Sequence, residues 1–308
     1  MTELGQHLQD YLGLRRGLGF KLDRAGRLLS QFVTFCEQDG AEVVSVELAL
    51  SWATVPDDCS AMWAANRLCV ARGFLRYLHA FEPRTGIPPT RLLPSGATRA
   101  TPYLYTPEEV AALMREARGF GSRLRAAGME AIVGLLACSG MRVGEALALD
   151  RCDVDLGAGL ITIRRAKLDK ERLVPLHQST VDALGVYGDE RDRLSPRPAE
   201  PAFFVSATGT RMLYCNFHLG YQQMVRRAGI TARSAACRPR PHDLRHRFAV
   251  DTLTDWYRDG ADVAARLPML SSYLGHVDPA ATYWYLSGSL ELLGMAARRL
   301  EHTYETER

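Results

Sequence analysis

The stretch from Pro241 to Arg247 concentrates groups that bind phosphate, since it reads Pro-His-Asp-Leu-Arg-His-Arg. A proline at the first turn of a helix loses no hydrogen bond, so we expect a helix to begin here. On that helix His242 and Arg245 stand three residues apart and project from one face. A titratable imidazole beside a permanent cation can bind a phosphoryl group. Three kinds of site remain open: a solvated basic helix, a metal pair at His242 and His246, and part of a phosphoryl-transfer centre.

The metal alternative has little support in the sequence. His242 and His246 have the spacing of the histidine pair in zinc proteases, but the acid between them is Asp243 rather than glutamate, and no obvious third ligand follows. The seven cysteines are scattered and never stand at a two-residue gap. That pattern argues against a structural zinc site and against a disulfide framework.

Length and composition are those of an ordinary globular protein. The chain has 308 residues, enough for two domains, and is 47% hydrophobic and 24% charged. No apolar run approaches the roughly 20 residues that span a membrane. The amino terminus has neither the basic start nor the apolar core of a signal peptide. We therefore expect no membrane partner and a cytoplasmic location.

Positive charge is local rather than global. The net charge is only +3, but the segment Arg226–Arg247 contains seven arginines, two histidines and a single acid. A second basic run, Arg164–Arg172, is partly offset by its own acids. Such stripes fit either a surface that faces DNA or a solvated basic face.

The first part of the chain has helical periodicity. Apolar residues recur at helical spacing in four segments: Leu4–Leu12, Arg24–Glu37, Val46–Trp52 and Ser60–Ala80. Arg67, Arg72 and Arg76 belong to the last segment and fit either a solvated face or contacts with phosphate. The periodicity stops between Phe81 and Pro102, where prolines and glycines cluster, so we expect a linker there.

The second part opens with a helix signal and contains the one clear β region. Thr106 is suited to cap a helix that starts with Pro107, and Glu109 completes a capping box. Residues Val154–Leu176 have a strand pattern with a glycine turn and a return strand, and Lys167 falls in or next to the turn between the last two strands. Helices are expected again after Pro201.

Four features follow one another in this second part. They are Gly140-Met141-Arg142-Val143-Gly144-Glu145, Lys167 in the hairpin, His242-Asp243-Leu244-Arg245, and Leu274-Gly275-His276 followed by Thr282-Tyr283-Trp284-Tyr285. In this order they closely resemble the tyrosine recombinase (phage integrase) family, whose pattern is Arg, Lys, His-x-x-Arg, His or Trp, and Tyr. Tyr285 follows His276 by nine residues, the family spacing. The resemblance covers about Thr101 to Glu301 and extends less specifically to the first half.

The resemblance implies a mainly α fold with a small β-sheet or hairpin, arranged as a two-domain clamp around DNA. Residues 1–82 would form a helical core-binding domain and residues 83–102 a linker. Residues 103–308 would form a mixed α/β catalytic domain with a C-terminal helix over 289–303. The Tyr-Trp-Tyr-Leu ending resembles recombinases of some transposable elements.

The resemblance also implies a nucleophile and a clamp for charge. Tyr285 would attack a DNA phosphate and form a covalent intermediate, which keeps the energy of the broken bond. Arg142 and Arg245 would stabilise the negative charge that develops on the non-bridging oxygens, and His276 would add a third donor.

Three further residues would complete the site. Lys167 would protonate the departing 5′ oxygen as general acid. His242 would accept the tyrosine proton or position the phosphate. Glu145, one helical turn from Arg142, would orient the basic groups as a supporting residue. No metal and no other cofactor is implied.

Two assignments rest on a choice between neighbours. Tyr283 and Tyr285 differ by roughly 200° in direction on a helix, so only one can face the site. The nine-residue spacing favours Tyr285. Lys170 belongs to the same hairpin as Lys167, and alignment with the family favours Lys167.

The implied function is that of a site-specific recombinase or integrase. It would cut and rejoin double-stranded DNA at the nucleoid through a 3′-phosphotyrosyl intermediate, with no small-molecule substrate. The C-terminal helix would join protomers into a tetramer on DNA, although it could equally pack in cis. Two alternatives stay open: a type IB topoisomerase, which shares the catalytic residues, and a non-catalytic DNA-binding regulator.

Overall fold

A computed structural model describes residues 2–55, 60–94, 100–164, 171–276, 278, 280–287 and 292–298. The chain divides into two compact units, Met1–Arg99 and Ala100–Arg308. Within the described residues both units are mainly helical, and the second contains a three-stranded antiparallel sheet. The predicted fold class, mainly α with a small β-sheet, is confirmed.

The first unit is a helical bundle around one apolar core. Its described helices are α1 (Glu3–Gly17), α2 (Asp23–Asp39), α3 (Val46–Thr54) and α4 (Ala61–Leu78). Thr2, Ser45 and Ser60 cap α1, α3 and α4, since each side chain accepts a hydrogen bond from a backbone N–H of the first turn. All four helices contribute to the core, which includes Leu8, Leu29, Phe32, Trp52 and Phe74.

Arg67 on α4 contradicts its sequence prediction. The sequence favours a solvated face or phosphate contact, but the Arg67 side chain is buried. Its Nη2 donates a hydrogen bond to the carbonyl oxygen of Trp52 at 2.6 Å, and its guanidinium lies over the Trp52 ring, 4.1 Å from the centroid. A long side chain with an apolar stem can reach a neighbouring helix that periodicity alone does not identify. Arg76, by contrast, is exposed.

The second unit is built around the apolar helix α6. Its described helices are α5 (Pro107–Ala117), α6 (Arg123–Ser139), α7 (Val143–Ala148), α8 (Gln178–Leu194), α9 (Tyr214–Arg227), α10 (Asp243–Arg258), α11 (Val263–Leu274) and α12 (Ala280–Ser287). The predicted capping box of Thr106 and Glu109 opens α5. Helix α6 packs against α5, α8 and α10, and most of its buried apolar side chains belong to the largest apolar cluster among the described residues.

The sheet follows chain order. Strands β1 (Val154–Asp155), β2 (Leu160–Ile163) and β3 (Arg172–Pro175) pair antiparallel. The last β2–β3 pair joins Ile163 to Arg172, so the residues between them connect the hairpin. Lys167 and Lys170 belong to that connection and lie outside the described residues.

Helix α10 begins later than the sequence predicts. Its first residue is Asp243 and its N-cap is His242, so Pro241 precedes the cap instead of occupying the first turn. The Asp243 carboxylate is fully buried and accepts hydrogen bonds from the backbone N–H and the guanidinium of Arg240, each at 3.1 Å. These bonds fix the chain that enters α10. Burial raises the pKa of Asp243, although Arg240 acts in the opposite direction.

The last described helices share a second apolar cluster of this unit. Residues 292–298 are helical, so the helix expected over 289–303 is described only in that part. Leu292 is 1% exposed and packs in the cluster with Leu253, Leu270 and Tyr285, whereas Leu293 is 47% exposed. Within the described part of the chain, no helix is both long and apolar enough to cross a membrane.

Candidate active site

Two helix ends hold the buried guanidinium of Arg245. Gly140 is the C-cap of α6 and Gly275 is the C-cap of α11, and both are in the left-handed region with φ of +60° and +68°. Nη1 of Arg245 donates to the Gly140 carbonyl oxygen at 2.8 Å, and Nη2 donates to the Leu274 carbonyl oxygen at 2.7 Å. Carbonyls at the C-terminal end of a helix have no intrahelical partner and carry partial negative charge. They therefore stabilise a cation that is 1% exposed.

Arg142 also binds the C-terminal end of α11, but its side chain reaches solvent. It is the N-cap of α7, its Nη1 donates to Glu145 at 2.8 Å and its Nη2 donates to the Gly275 carbonyl oxygen at 3.0 Å. These bonds use two of the five N–H donors of a guanidinium. Since the side chain is partly exposed, Arg142 can offer its remaining donors to an anion.

Glu145 binds a second arginine from the sheet. Nη1 and Nη2 of Arg172 donate to the two Glu145 oxygens at 2.9 and 2.8 Å, and both side chains are mostly buried. Burial would raise the pKa of Glu145, but hydrogen bonds from Arg172 and Arg142 outweigh it and lower that pKa. An ionised Glu145 thus joins α7 to the first residue of β3.

His276 sits between Arg245 and α12. Nη2 of Arg245 lies 2.8 Å from Nε2 of His276, and Thr282 Oγ1 lies 2.7 Å from Nδ1. Burial lowers the pKa of His276 to about 4, helped by the charges of Arg245, Arg142, Arg172 and His242. The imidazole is therefore neutral at pH 7. Because a guanidinium only donates, Nε2 accepts in this arrangement.

Tyr285 reaches the site and Tyr283 does not. The Tyr285 ring stacks on His276 with centroids 5.8 Å apart, and the residue is 3% exposed. Burial lowers the pKa of Arg245, and a side-chain hydrogen bond with Tyr285 acts to raise that pKa. Tyr283 is 57% exposed.

The two histidines of the opening stretch differ in exposure. His242 is exposed, and its ring meets that of His246 edge to face, with centroids 5.0 Å apart. His246 is buried and contacts the rings of Trp284 and Tyr285 at 5.1 and 5.2 Å. His242 is thus placed to meet a ligand, and His246 packs beneath the tyrosine.

The structure brings together five of the six predicted catalytic residues, Arg142, His242, Arg245, His276 and Tyr285, with the supporting Glu145. Lys167 lies outside the described residues. Three arginines cluster around a single carboxylate, Glu145, so positive charge is in excess, and a tyrosine hydroxyl stands beside one of the arginines. Such a site can bind an anion and stabilise charge that develops on it.

Two residues of the site have no counterpart among the sequence predictions. Arg172 stands in the Arg-Leu-Val-Pro-Leu return strand, where its charge at an otherwise apolar strand was the available signal. Thr282 falls in the stretch before Tyr285, and its six-residue distance from His276 was visible but pointed to no role.

The chain is similar to known proteins in sequence and in structure. A family model described as the phage integrase family matches residues 104–290. The Sinorhizobium fredii protein y4rB, named for an integrase/recombinase, is 42% identical over 99% of each chain. The tyrosine recombinase XerD of Rhizobium meliloti is 31% identical, over 72% of this chain and 68% of its own.

Solved structures show the same fold. An integrase of the transposon Tn1549 in complex with transposon right end DNA aligns over 96% of this chain and 98% of its own, with a TM-score of 0.66 and 15% identity. A lambda integrase tetramer bound to a Holliday junction aligns over 92% and 76%, with a TM-score of 0.59 and 14% identity.

Proposed function

The chain belongs to the phage integrase family of tyrosine recombinases and is a site-specific recombinase, and from this premise we propose that it cuts and rejoins double-stranded DNA through a 3′-phosphotyrosyl intermediate. The observation that carries the proposal is the contact of Tyr285 with both Arg245 and His276. The DNA complexes among the solved neighbours support DNA as the partner.

The proposed cleavage exchanges a phosphodiester bond within DNA for one between DNA and tyrosine. The Tyr285 oxygen attacks phosphorus, a bond from that oxygen to phosphorus forms, and the bond from phosphorus to the 5′ oxygen breaks. The proton of Tyr285 leaves to a nearby base, for which the exposed His242 is the candidate. In rejoining, the 5′ hydroxyl of the other strand attacks the phosphotyrosine and releases Tyr285.

The arginines are proposed to stabilise the negative charge that develops in the transition state. Arg142 has free donors and solvent access, and Arg245 is held rigidly by the ends of α6 and α11. Fixed donors that need no reorganisation are the most effective way to stabilise charge in a transition state. Glu145 and Arg172 position Arg142 and are not themselves proposed to touch DNA.

Lys167 is proposed as the general acid that protonates the 5′ oxygen. Its support is connectivity: it lies in the β2–β3 connection, five residues before Arg172, which reaches the site. A lysine on that connection can supply a proton where a leaving oxygen needs one.

The parts outside the catalytic pocket are proposed to bind DNA and to assemble protomers. Residues 1–82 would bind DNA as a core-binding domain, residues 83–102 would form the linker, and residues 103–308 would form the catalytic domain. The C-terminal helix is proposed to contact a neighbouring protomer through exposed side chains such as Leu293. Tetramer assembly on DNA in the lambda integrase neighbour supports this arrangement.

Trapping of the covalent intermediate tests the proposal. Sequencing of the DNA that is joined to the protein in cells would give the target, and a nicked duplex of that sequence would then trap the adduct. Wild type and Tyr283→Phe should form it, whereas Tyr285→Phe should not. An adduct that survives in Tyr285→Phe contradicts the proposal. Relaxation of supercoils without strand exchange would point instead to a type IB topoisomerase.

A further inference from the structure

Thr282 forms a hydrogen bond with one side of the His276 ring. It is buried on α12, and its hydroxyl oxygen lies 2.7 Å from Nδ1. Arg245 contacts the opposite side, with Nη2 2.8 Å from Nε2. Thr282 stands three residues before Tyr285, so one short helix carries both the nucleophile candidate and the group that holds the imidazole.

The two contacts fix the tautomer of His276. A guanidinium can donate but cannot accept, so Nε2 of His276 has no proton while it faces Arg245. A neutral imidazole carries one proton, which is then on Nδ1 and is donated to Thr282. The low pKa of His276, near 4, keeps the ring neutral at pH 7. In this form Nε2 cannot donate to a phosphoryl oxygen.

We propose that Thr282 is a positioning residue that lets His276 change tautomer when a DNA phosphate enters the site. A hydroxyl both donates and accepts, so Thr282 can serve either form of the ring. Once the phosphate takes the Nη2 donor that Arg245 directs at His276, the Thr282 O–H turns toward Nδ1 and Nε2–H donates to a non-bridging oxygen. Water carries the proton from Nδ1 to Nε2, so the ring neither gains nor loses charge.

This inference rests on the proposed strand-transfer chemistry and predicts a specific order of variants. Thr282→Ser keeps the hydroxyl and should form the Tyr285 adduct within about threefold of the wild-type rate. Thr282→Val keeps the shape but removes the donor, and should slow adduct formation roughly tenfold to a hundredfold, approaching the loss of one transition-state donor. An unchanged rate in Thr282→Val overturns the inference.

A tryptophan at position 276 separates positioning from packing. The indole N–H is a fixed donor with no second tautomer. In a His276→Trp background, Thr282→Val should therefore change the rate by less than about twofold. The same loss in both backgrounds would mean that Thr282 acts only through packing and would overturn the inference.

The tautomer can also be measured without catalysis. Nitrogen-15 spectra of the imidazole groups in the DNA-free full chain, with His276 assigned by His276→Gln, should show a proton on Nδ1 at pH 7. A proton on Nε2 would overturn the inference even if the variants fold poorly. Failure of the proposed function would look different, because the wild type would then form no Tyr285 adduct.

Discussion

Arg245 is buried with partners that do not cancel its charge. Among the described residues its hydrogen bonds go to the Gly140 and Leu274 carbonyls, to the neutral His276 ring and to the Tyr285 side chain. A buried cation is costly unless it is hydrogen bonded, and these neutral partners supply bonds without a countercharge. Glu145 lies near enough to offset part of the charge, but no carboxylate binds Arg245 directly among the described hydrogen bonds, so an incoming phosphate would meet the remaining charge.

The lowered pKa of His276 predicts a pH dependence of stability. The folded ring has a pKa of about 4, whereas an unfolded histidine has one near 6.5. Unfolding therefore takes up a proton between these values, and stability falls as pH falls from about 6.5 toward 4. Between pH 7 and pH 5 the wild type should lose roughly 1 kcal/mol of unfolding free energy relative to His276→Gln, after allowance for solvent screening. Denaturant unfolding at the two pH values measures this; equal losses in both proteins would contradict it.

At the scale of elements, Gly275 links helix α11 to strand β3. Its φ of +68° is in the left-handed region, and a Cβ at this position would overlap the Arg172 guanidinium. The same glycine gives its carbonyl oxygen to Arg142. A single residue thus ends a helix, makes room for one arginine and binds another.

Gly275→Ala should damage both stability and catalysis. Gly229 has the same φ of +68°, and a Cβ there would meet nothing within 4 Å, which makes Gly229→Ala a matched control for backbone strain. Each alanine should cost about 1 kcal/mol from the left-handed conformation. Gly275→Ala should cost roughly a further 1–2 kcal/mol because Arg172 is displaced. Thermal unfolding and adduct yield test this, and equal behaviour of the two variants would contradict it.

The ion pair between β3 and α7 gives a second prediction at this scale. Arg172→Met keeps the apolar stem but removes two hydrogen bonds from the buried Glu145, so it should destabilise the protein by roughly 2–4 kcal/mol. Arg118 makes a comparable pair with Glu130 at the surface, with an exposed guanidinium. Arg118→Met should cost under about 1 kcal/mol. Equal unfolding free energies for the two variants would show that the buried pair stabilises the protein no more than the surface pair.

The sequence predicts elements better than it predicts the contacts between them. Capping signals and periodicity identified α5 and the β2–β3 hairpin, because those depend on neighbours along the chain. The ordered motifs identified Arg142, Arg245, His276 and Tyr285, which the structure gathers at the ends of α6 and α11. The burial of Arg67 on Trp52 depends on how helices pack, which one-dimensional periodicity does not contain.

The same limit applies inside the site. Arg172 reaches Glu145 only because the last β2–β3 pair ends beside α7. The tautomer of His276 depends on Arg245 and Thr282 lying within hydrogen-bond distance on opposite sides of one ring. Such distances between residues far apart in the chain follow from tertiary structure, so no spacing rule predicts them.

At the scale of the whole molecule, the helix over residues 292–298 has one side that packs on the protein and one that is exposed. Leu292 packs in the apolar cluster that contains Tyr285, which is packing in cis. Deleting residues 289–308 would therefore disturb the tyrosine as well as any contact between protomers. A point change on the exposed side of the helix is the cleaner test of assembly.

Leu293→Glu should weaken assembly and leave the fold intact. The side chain is 47% exposed, so a charge costs little in the monomer but opposes burial against a neighbouring protomer. Leu292→Ala is the matched variant: loss of a buried leucine should lower stability by about 2–5 kcal/mol. Thermal unfolding separates the two effects, and mass measurement on DNA with one or two target sites reports assembly. Leu293→Glu should bind one site normally and fail to join two. If it joins two sites as well as the wild type, the contact between protomers does not involve this face of the helix.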